Sequence, residues 1–269
     1  MLDDVQFYNT ALPQTAVKAI YGLPATPSLV GHWRLDETAS PAGNTPAADS
    51  SGNNFNGTYQ PLAGPGPTLG GPAAPTLVGT SADFNGTTDE VFLASPLAFR
   101  MRNDFTIMAW INPDNVSDPG KTQRVFSQNG GGFGFGLIGN EFKFTTYGIK
   151  DYQGSTLDGV TIPAGEWSHI AVVFDEENDA RFYLNGIFVE EIDGVNPANI
   201  GTSNFFIGST GTSERFGGLI DDVRYYRGSL TADQILEAAA IPEPSTFVLA
   251  LLGMATLVGC RVRRKSNQE

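Results

Sequence analysis

Cysteine, histidine and basic charge are scarce in this sequence, and each scarcity closes off a class of function. A single cysteine, Cys260, excludes an intramolecular disulfide and the zinc sites built from several thiolates. Only His32 and His169 are available as imidazoles, too few for a histidine-rich metal centre. Lysine and arginine number 16 against 29 acidic residues, a formal charge of −13. Arg261, Arg263, Arg264 and Lys265 sit at the far end, so residues 1–242 carry 12 basic and 27 acidic side chains, or −15. Phosphate backbones and anionic bilayers repel such a body, which argues against nucleic acid as a partner. A hydrophobic run of full bilayer length is also missing. Thr246–Cys260 spans 15 residues, or ~22 Å of helix against a hydrocarbon core of ~30 Å, and snorkelling of Arg261 and Arg263 would extend it. Met1-Leu2-Asp3-Asp4-Val5 has neither a basic nor an apolar leader region, so no signal peptide is expected there. Asn129-Gly130-Gly131-Gly132 has no phosphate-loop lysine and no helix after it, and reads as a turn.

What the chain does contain is turns, aromatics and a repeat. Glycine (32) and proline (17) alternate with apolar runs, which indicates many turns rather than disorder. Leu2-Asp3-Asp4-Val5-Gln6-Phe7-Tyr8 echoes Ile220–Tyr226 at an offset of 218, and Leu12–Val17 echoes Leu230–Ile235 at the same offset. Residues 1–23 therefore read as the last strand and helix of a preceding repeat, and Met1 as a start inside a longer protein. Residues 24–28, with Pro24 and Pro27, read as a linker. Residues 29–240 are then one domain and 241–269 a tail.

Strand signals run throughout the domain. Leu29–Glu37 alternates so that Trp33 and Leu35 face a core and His32 faces away. Asp104–Asn112 puts Phe105, Ile107, Ala109 and Ile111 on one parity and Trp110 on the other. Glu166–Asp175 is apolar on both parities, the mark of a buried strand that carries His169 as scaffold. Trp33, Trp110 and Trp167 all read as core. Asn85-Gly86 and Asn185-Gly186 signal hairpins because they accept positive φ, whereas the Pro/Gly-rich stretch 60–76 reads as a surface loop. Thr231–Ala240, opened by a capping-type Thr231-Ala232-Asp233-Gln234, is the one clear helix. Many short strands with so little helix predict an all-β, two-sheet antiparallel sandwich.

The blocks Gly31–Glu37, Asp49-Ser50-Ser51-Gly52-Asn53 with Asn56-Gly57-Thr58, Asp83–Gly86, Asp104–Ile111, Glu166–Asp175, Tyr183–Gly186 and Gly217–Tyr226 resemble, in order and spacing, the laminin-G-like, concanavalin-A-like jelly-roll domains. The tail resembles a PEP-CTERM sorting signal. Its parts are Pro242-Glu243-Pro244, the apolar run Thr246–Cys260, and the basic end with Arg261, Arg263 and Arg264. The positive-inside rule would keep that end cytoplasmic, with the acidic domain outside. The resemblance implies a membrane anchor, processing by an exosortase near Pro-Glu-Pro, and a final place at the cell surface or in the extracellular matrix.

Chemistry is the less legible part. Calcium takes six to eight oxygens from an irregular loop, and Asp49, Gly52, Asn53 and Asn56 offer such a mix, with Asp222 as a second carboxylate if the domain's ends meet. Asx and Ser turns would explain the same loop without an ion. Polysaccharide or another matrix component is the expected partner, with Tyr147, Lys150, Asp151 and Tyr152 as candidate contacts at a loop. A purely structural spacer is the other reading. A glycoside hydrolase of this fold would resemble Glu-Ile-Asp-x-x-Glu. Glu191-Ile192-Asp193-Gly194-Val195-Asn196 begins that way, but Asn196 cannot protonate a leaving group, so the module is expected to be non-catalytic.

Overall fold

Alternating side chains and frequent glycine turns give sixteen strands among the described residues of a computed structural model. It describes Tyr8 and residues 27–38, 46–61, 66–75, 77–94, 97–129, 131–153 and 160–240. The remnant repeat expected at residues 1–23 (apart from Tyr8), the linker up to residue 26 and the tail 241–269 therefore lie outside the described residues. In chain order the strands are β1 (Ser28–Trp33), β2 (Pro46–Ala47), β3 (Gly57–Pro61), β4 (Thr68–Pro72), β5 (Thr80–Asn85) and β6 (Asp89–Leu93). Next come β7 (Phe105–Pro113), β8 (Thr122–Gln128), β9 (Phe133–Ile138), β10 (Glu141–Thr146) and β11 (Lys150–Gln153). The last are β12 (Ser168–Phe174), β13 (Ala180–Leu184), β14 (Ile187–Ile192), β15 (Phe205–Ile207) and β16 (Gly217–Arg227), followed by helix α1 (Ala232–Ala239).

One antiparallel sheet runs β14-β13-β12-β7-β16-β5-β4, with β1 also on β16; the other runs β11-β10-β9-β8-β15-β6-β3-β2. Between them lies an aromatic core: Phe105 stacks on Phe133 at 4.4 Å, and Trp33 meets Phe99 edge to face at 5.7 Å. Tyr225, fully buried there, donates its hydroxyl to the Phe99 carbonyl at 3.1 Å, so its one polar atom is satisfied.

The central strand is β16. Gly217–Ile220 pairs with β5, and Val223–Arg227 pairs with β1 on the same side. The changeover falls at Asp222, whose φ of +52° sits in the register shift against β7. Aspartate tolerates this left-handed conformation better than most residues, and the bulge re-aims its side chain.

Helix α1 starts as the sequence predicts. Thr231 Oγ1 accepts from the Gln234 N–H, and the Gln234 side chain returns a bond to the Thr231 N–H. Ile235 buries against Met108, Ala171, Val173 and Tyr183 on the outer face of the first sheet, with Ala238 packed against the same cluster. That cover explains why β12 is apolar on both sides.

Two expectations are corrected. Asn85-Gly86 closes no hairpin, since β5 and β6 belong to different sheets; Asn85 Oδ1 instead accepts from the Thr87 and Thr88 N–H groups and turns the chain from one sheet to the other. The stretch 60–76 is not all loop. It holds β4, an edge strand where Gly70 (φ +84°) makes the bulge that lets proline and glycine fit.

Candidate functional site

The loop after β2 closes on itself. Asp49 accepts backbone N–H bonds from His32, Ser51 and Phe55, each at 2.9 Å, and the Ser51 hydroxyl at 2.8 Å. Burial pushes its pKa up, but these hydrogen bonds outweigh burial and hold the carboxyl below its ordinary value. Asn56 Oδ1 accepts from the Asp49 N–H, Asn53 donates to the Val30 and Leu29 carbonyls, and Gly52 supplies a positive-φ turn. Asp222 does reach this end of the domain, as expected, but its partners are His32 Nε2 at 2.5 Å and Arg224 Nη2 at 2.7 Å. As placed, the five do not form a calcium cage: the side-chain oxygens of Asp49, Asn56 and Asp222 already accept hydrogen bonds or ion pairs within the fold, while Gly52 supplies a turn and Asn53 an amide donor. In a second acidic cluster of Asp175, Glu177, Asp179, Glu191 and Asp193, three of the carboxylates are likewise engaged. Arg181 bonds Asp175 and Glu191, each at 2.6 Å, and Asp179 accepts from the Gly194 N–H at 2.6 Å.

The aromatic contacts expected near β11 are dispersed by burial. Tyr152 is fully buried against Phe144 and Phe174, with its hydroxyl on the Asn178 carbonyl, so it belongs to the core. Lys150 lies over the Tyr152 ring at 4.8 Å and bonds the Asp193 carbonyl. Tyr147 stacks under the Arg124 guanidinium at 5.7 Å, its hydroxyl buried. Asp151 alone of the four is exposed.

An open pocket of about 490 Å³ occurs elsewhere, lined by Pro75, Trp110, Trp167, Asn185, Leu236, Ala239 and Ala240. Three elements converge there. Strand β7 turns Trp110 outward, residue 167 leads into β12, and α1 ends above both. Gly186 makes the closure feasible: its φ is +80°, and a Cβ there would lie 2.9 Å from the Leu236 backbone. Asn185 is pinned, donating its N–H to the His169 carbonyl and accepting the His169 N–H on Oδ1.

Two buried ring nitrogens in this corner have no hydrogen-bond partner, Trp110 Nε1 and His169 Nδ1. Such orphans are rare in folded proteins. Burial drives the His169 pKa down to about 3, so the imidazole is neutral, and among the described residues no charged side chain lines the pocket. Sequence reading assigned all three tryptophans to the core: Trp33 is there, donating to the Phe55 carbonyl at 2.9 Å, Trp110 is buried outside the inter-sheet cluster, and only Trp167 is half-buried. The available signal was the unequal parity of Trp110 within β7.

Comparison with known proteins agrees with this architecture. No curated protein matches the chain. Domain 4 of an extracellular arabinanase from Geobacillus stearothermophilus, solved with arabinotriose, is similar at TM-score 0.58 and 23% identity, over 80% of this chain and 99% of that one. Botulinum neurotoxin type C, described as entering cells through two ganglioside molecules, aligns at TM-score 0.58 and 14% identity, over 79% of this chain and 51% of the toxin chain. The binding domain of botulinum neurotoxin DC, solved with rat synaptotagmin II, aligns at 0.57 and 13%, over 79% and 51%. This chain thus spans about half of those toxin chains, and at such identities the likeness is one of fold. Residues 240–265 match the PEP-CTERM protein-sorting motif, which marks an exported protein processed at the membrane. Among the described residues no helix is long and apolar enough to cross a bilayer. Residues 85–236, more than half of the chain, match the family described as the concanavalin A-like lectin/glucanases superfamily, and the chain belongs to it.

Proposed function

We propose that the domain is a non-catalytic glycan-binding module, released to the cell surface or extracellular matrix after exosortase-type processing. The tryptophan pocket carries this reading. Indole walls complement the C–H faces of a sugar ring, and an unpaired indole N–H favours an oxygen acceptor. The uncharged lining favours a neutral sugar over a uronic or sialic acid. The arabinotriose ligand of a similar domain supports the same class of partner. Glu191 supports the non-catalytic half: it lies on the edge strand β14 with its carboxylate held by the Arg181 guanidinium.

Affinity should be modest. A monosaccharide of about 12 heavy atoms at ~0.3 kcal/mol each reaches ~4 kcal/mol, a Kd of about 1 mM, so oligosaccharides are the appropriate probes. The test is calorimetric titration of the full chain in detergent with neutral oligosaccharides, arabinotriose among them. Binding that is lost in Trp167→Ala supports the reading. Binding that survives this change places the site elsewhere, and the absence of any binding contradicts it.

A further inference from the structure

Among the described residues four strands close the ends of the two sheets, and three of them are blunted. Strand β4 carries a bulge at Gly70 and ends in Pro72, β2 is two residues long and begins with Pro46, and β11 is four residues long and opens on Lys150. Short length, proline, bulges and lysine are the ordinary means of keeping a sheet edge from pairing with another chain. Strand β14 shares only the bulge, at Val189. It runs six residues, Ile187-Phe188-Val189-Glu190-Glu191-Ile192, with no proline, glycine or lysine. The backbone N–H and C=O groups that point away from β13 meet no neighbour in the sheet. Ile187 is 68% exposed and Phe188 49%, and Phe188 stands edge to face on Tyr183 at 5.7 Å.

Charge decides what kind of strand fits there. Glu190 is half-buried, and burial together with the nearby Glu141 pushes its carboxyl up. Among the described residues no basic side chain is ion-paired with either one. Glu191 and Asp193 gather with Asp179, and Arg181, which answers Glu191 at 2.6 Å, is shared with Asp175. A second copy of this chain fits badly. Pairing β14 with itself would set these carboxylates against their own kind, on bodies of formal charge −13 each.

We infer that β14 is an open edge that takes up an extended, basic segment of another polypeptide as an added strand. In this mode of recognition main-chain hydrogen bonds supply affinity and alternate side chains supply specificity. An apolar residue of the added strand lies beside Phe188, and lysine or arginine lies beside Glu190 and Glu191. Glu190 thereby gains the cation that the fold does not provide. The contact uses a sheet edge rather than the tryptophan pocket, so it does not rest on the glycan reading.

The test uses the full chain in detergent and an end-blocked peptide of alternating lysine and valine, six residues long to match β14. Its control is the same peptide N-methylated at every residue, which keeps the charge but cannot complete a ladder. The control should bind at least about tenfold more weakly. The parent peptide should slow hydrogen exchange of the amides at 187–192 and leave the other sheet edges unchanged. Two variants locate the contact. Phe188→Lys places a like charge on an exposed position and should weaken binding about tenfold. Glu190→Gln should weaken it about threefold, without loss of stability, since it removes a half-buried carboxylate that lacks a cation. Equal binding of the two peptides, or protection away from β14, would overturn the inference, because attraction to an acidic body would then explain the binding. No binding of the parent peptide would overturn it as well. So would a dimer of the natural chain that dissociates in Phe188→Lys on sedimentation, since the occupant would then be a second copy.

Discussion

The rings of Trp110 and His169 meet edge to face, 5.5 Å apart, at directly opposed positions of β7 and β12. The pair brings together the pocket's floor and its most strongly perturbed base. Because His169 titrates near 3 in the folded protein, against its ordinary 6.5, unfolding takes up a proton at any pH between the two. Its contribution to stability is full above pH ~6.5 and lost as the pH falls toward 3. Asp221 runs the other way. Burial raises its pKa to about 7 from 3.8, against a hydrogen bond from the Ala74 N–H, so its contribution is full below ~3.8 and lost as the pH rises to ~7. Each amounts to ~1.4 kcal/mol per pH unit within its window, so the two nearly cancel between about pH 4 and 6.5. Urea denaturation should show a flat profile there for the natural protein. Asp221→Asn should be more stable at pH 8 and weaken on acidification, and His169→Phe should strengthen. Parallel profiles for all three would contradict these assignments.

Asp222 should be the costliest single truncation on the surface of the first sheet. It anchors His32 and Arg224 from a position that is 4% exposed. Removal leaves two partners unpaired, and about 3 kcal/mol is expected to be lost for Asp222→Ala by denaturant titration. A loss below ~0.5 kcal/mol would mean that the bulge, not the side chain, holds β1 in place.

The loop around Asp49 gives a prediction about calcium. With four donors already on its carboxylate, Asp49→Ala should cost about 1–3 kcal/mol, by the same amount in millimolar calcium and in chelator. A melting temperature that rises with calcium in the natural protein but not in Asp49→Ala would restore the ion-binding reading.

Gly186→Ala should damage the pocket more than the sandwich. The new Cβ meets Leu236 and Ala239 within 3.1 Å and sits at a positive φ, a cost of about 1–2 kcal/mol. Oligosaccharide affinity should fall severalfold as α1 is pushed off the sheet. Calorimetry of Gly186→Ala beside the natural protein tests this, and unchanged affinity would show that the helix does not shape the site.

How much of this was legible in the sequence follows from what each signal depends on. Strand parity is local, so Phe105, Ile107, Ala109 and Ile111 fall in the core as read, and the capping box of α1 needed only Thr231 and Gln234. Pairing is not local. Asn85-Gly86 looks like Asn185-Gly186, yet one turn crosses between sheets and the other joins β13 to β14, because partners distant in sequence decide it. The pocket was hidden for the same reason. Trp110, Asn185 and Ala240 are separated by long stretches of chain and meet only because α1 lies over β7 and β12. Tyr152 misled because its neighbours are polar, while β11 pairs with β10 and buries it.

Side-chain indole resonances offer the most direct test, since the chain has three tryptophans, Trp33, Trp110 and Trp167, each giving one N–H signal. Trp33 is buried with its N–H on the Phe55 carbonyl, an internal reference that no pocket ligand should disturb. Titrating the nitrogen-labelled chain with a neutral oligosaccharide should move the Trp110 and Trp167 signals together and leave Trp33 unmoved. Binding that leaves Trp110 and Trp167 unmoved, or the absence of any shift at tens of millimolar sugar, would contradict the pocket as the glycan site.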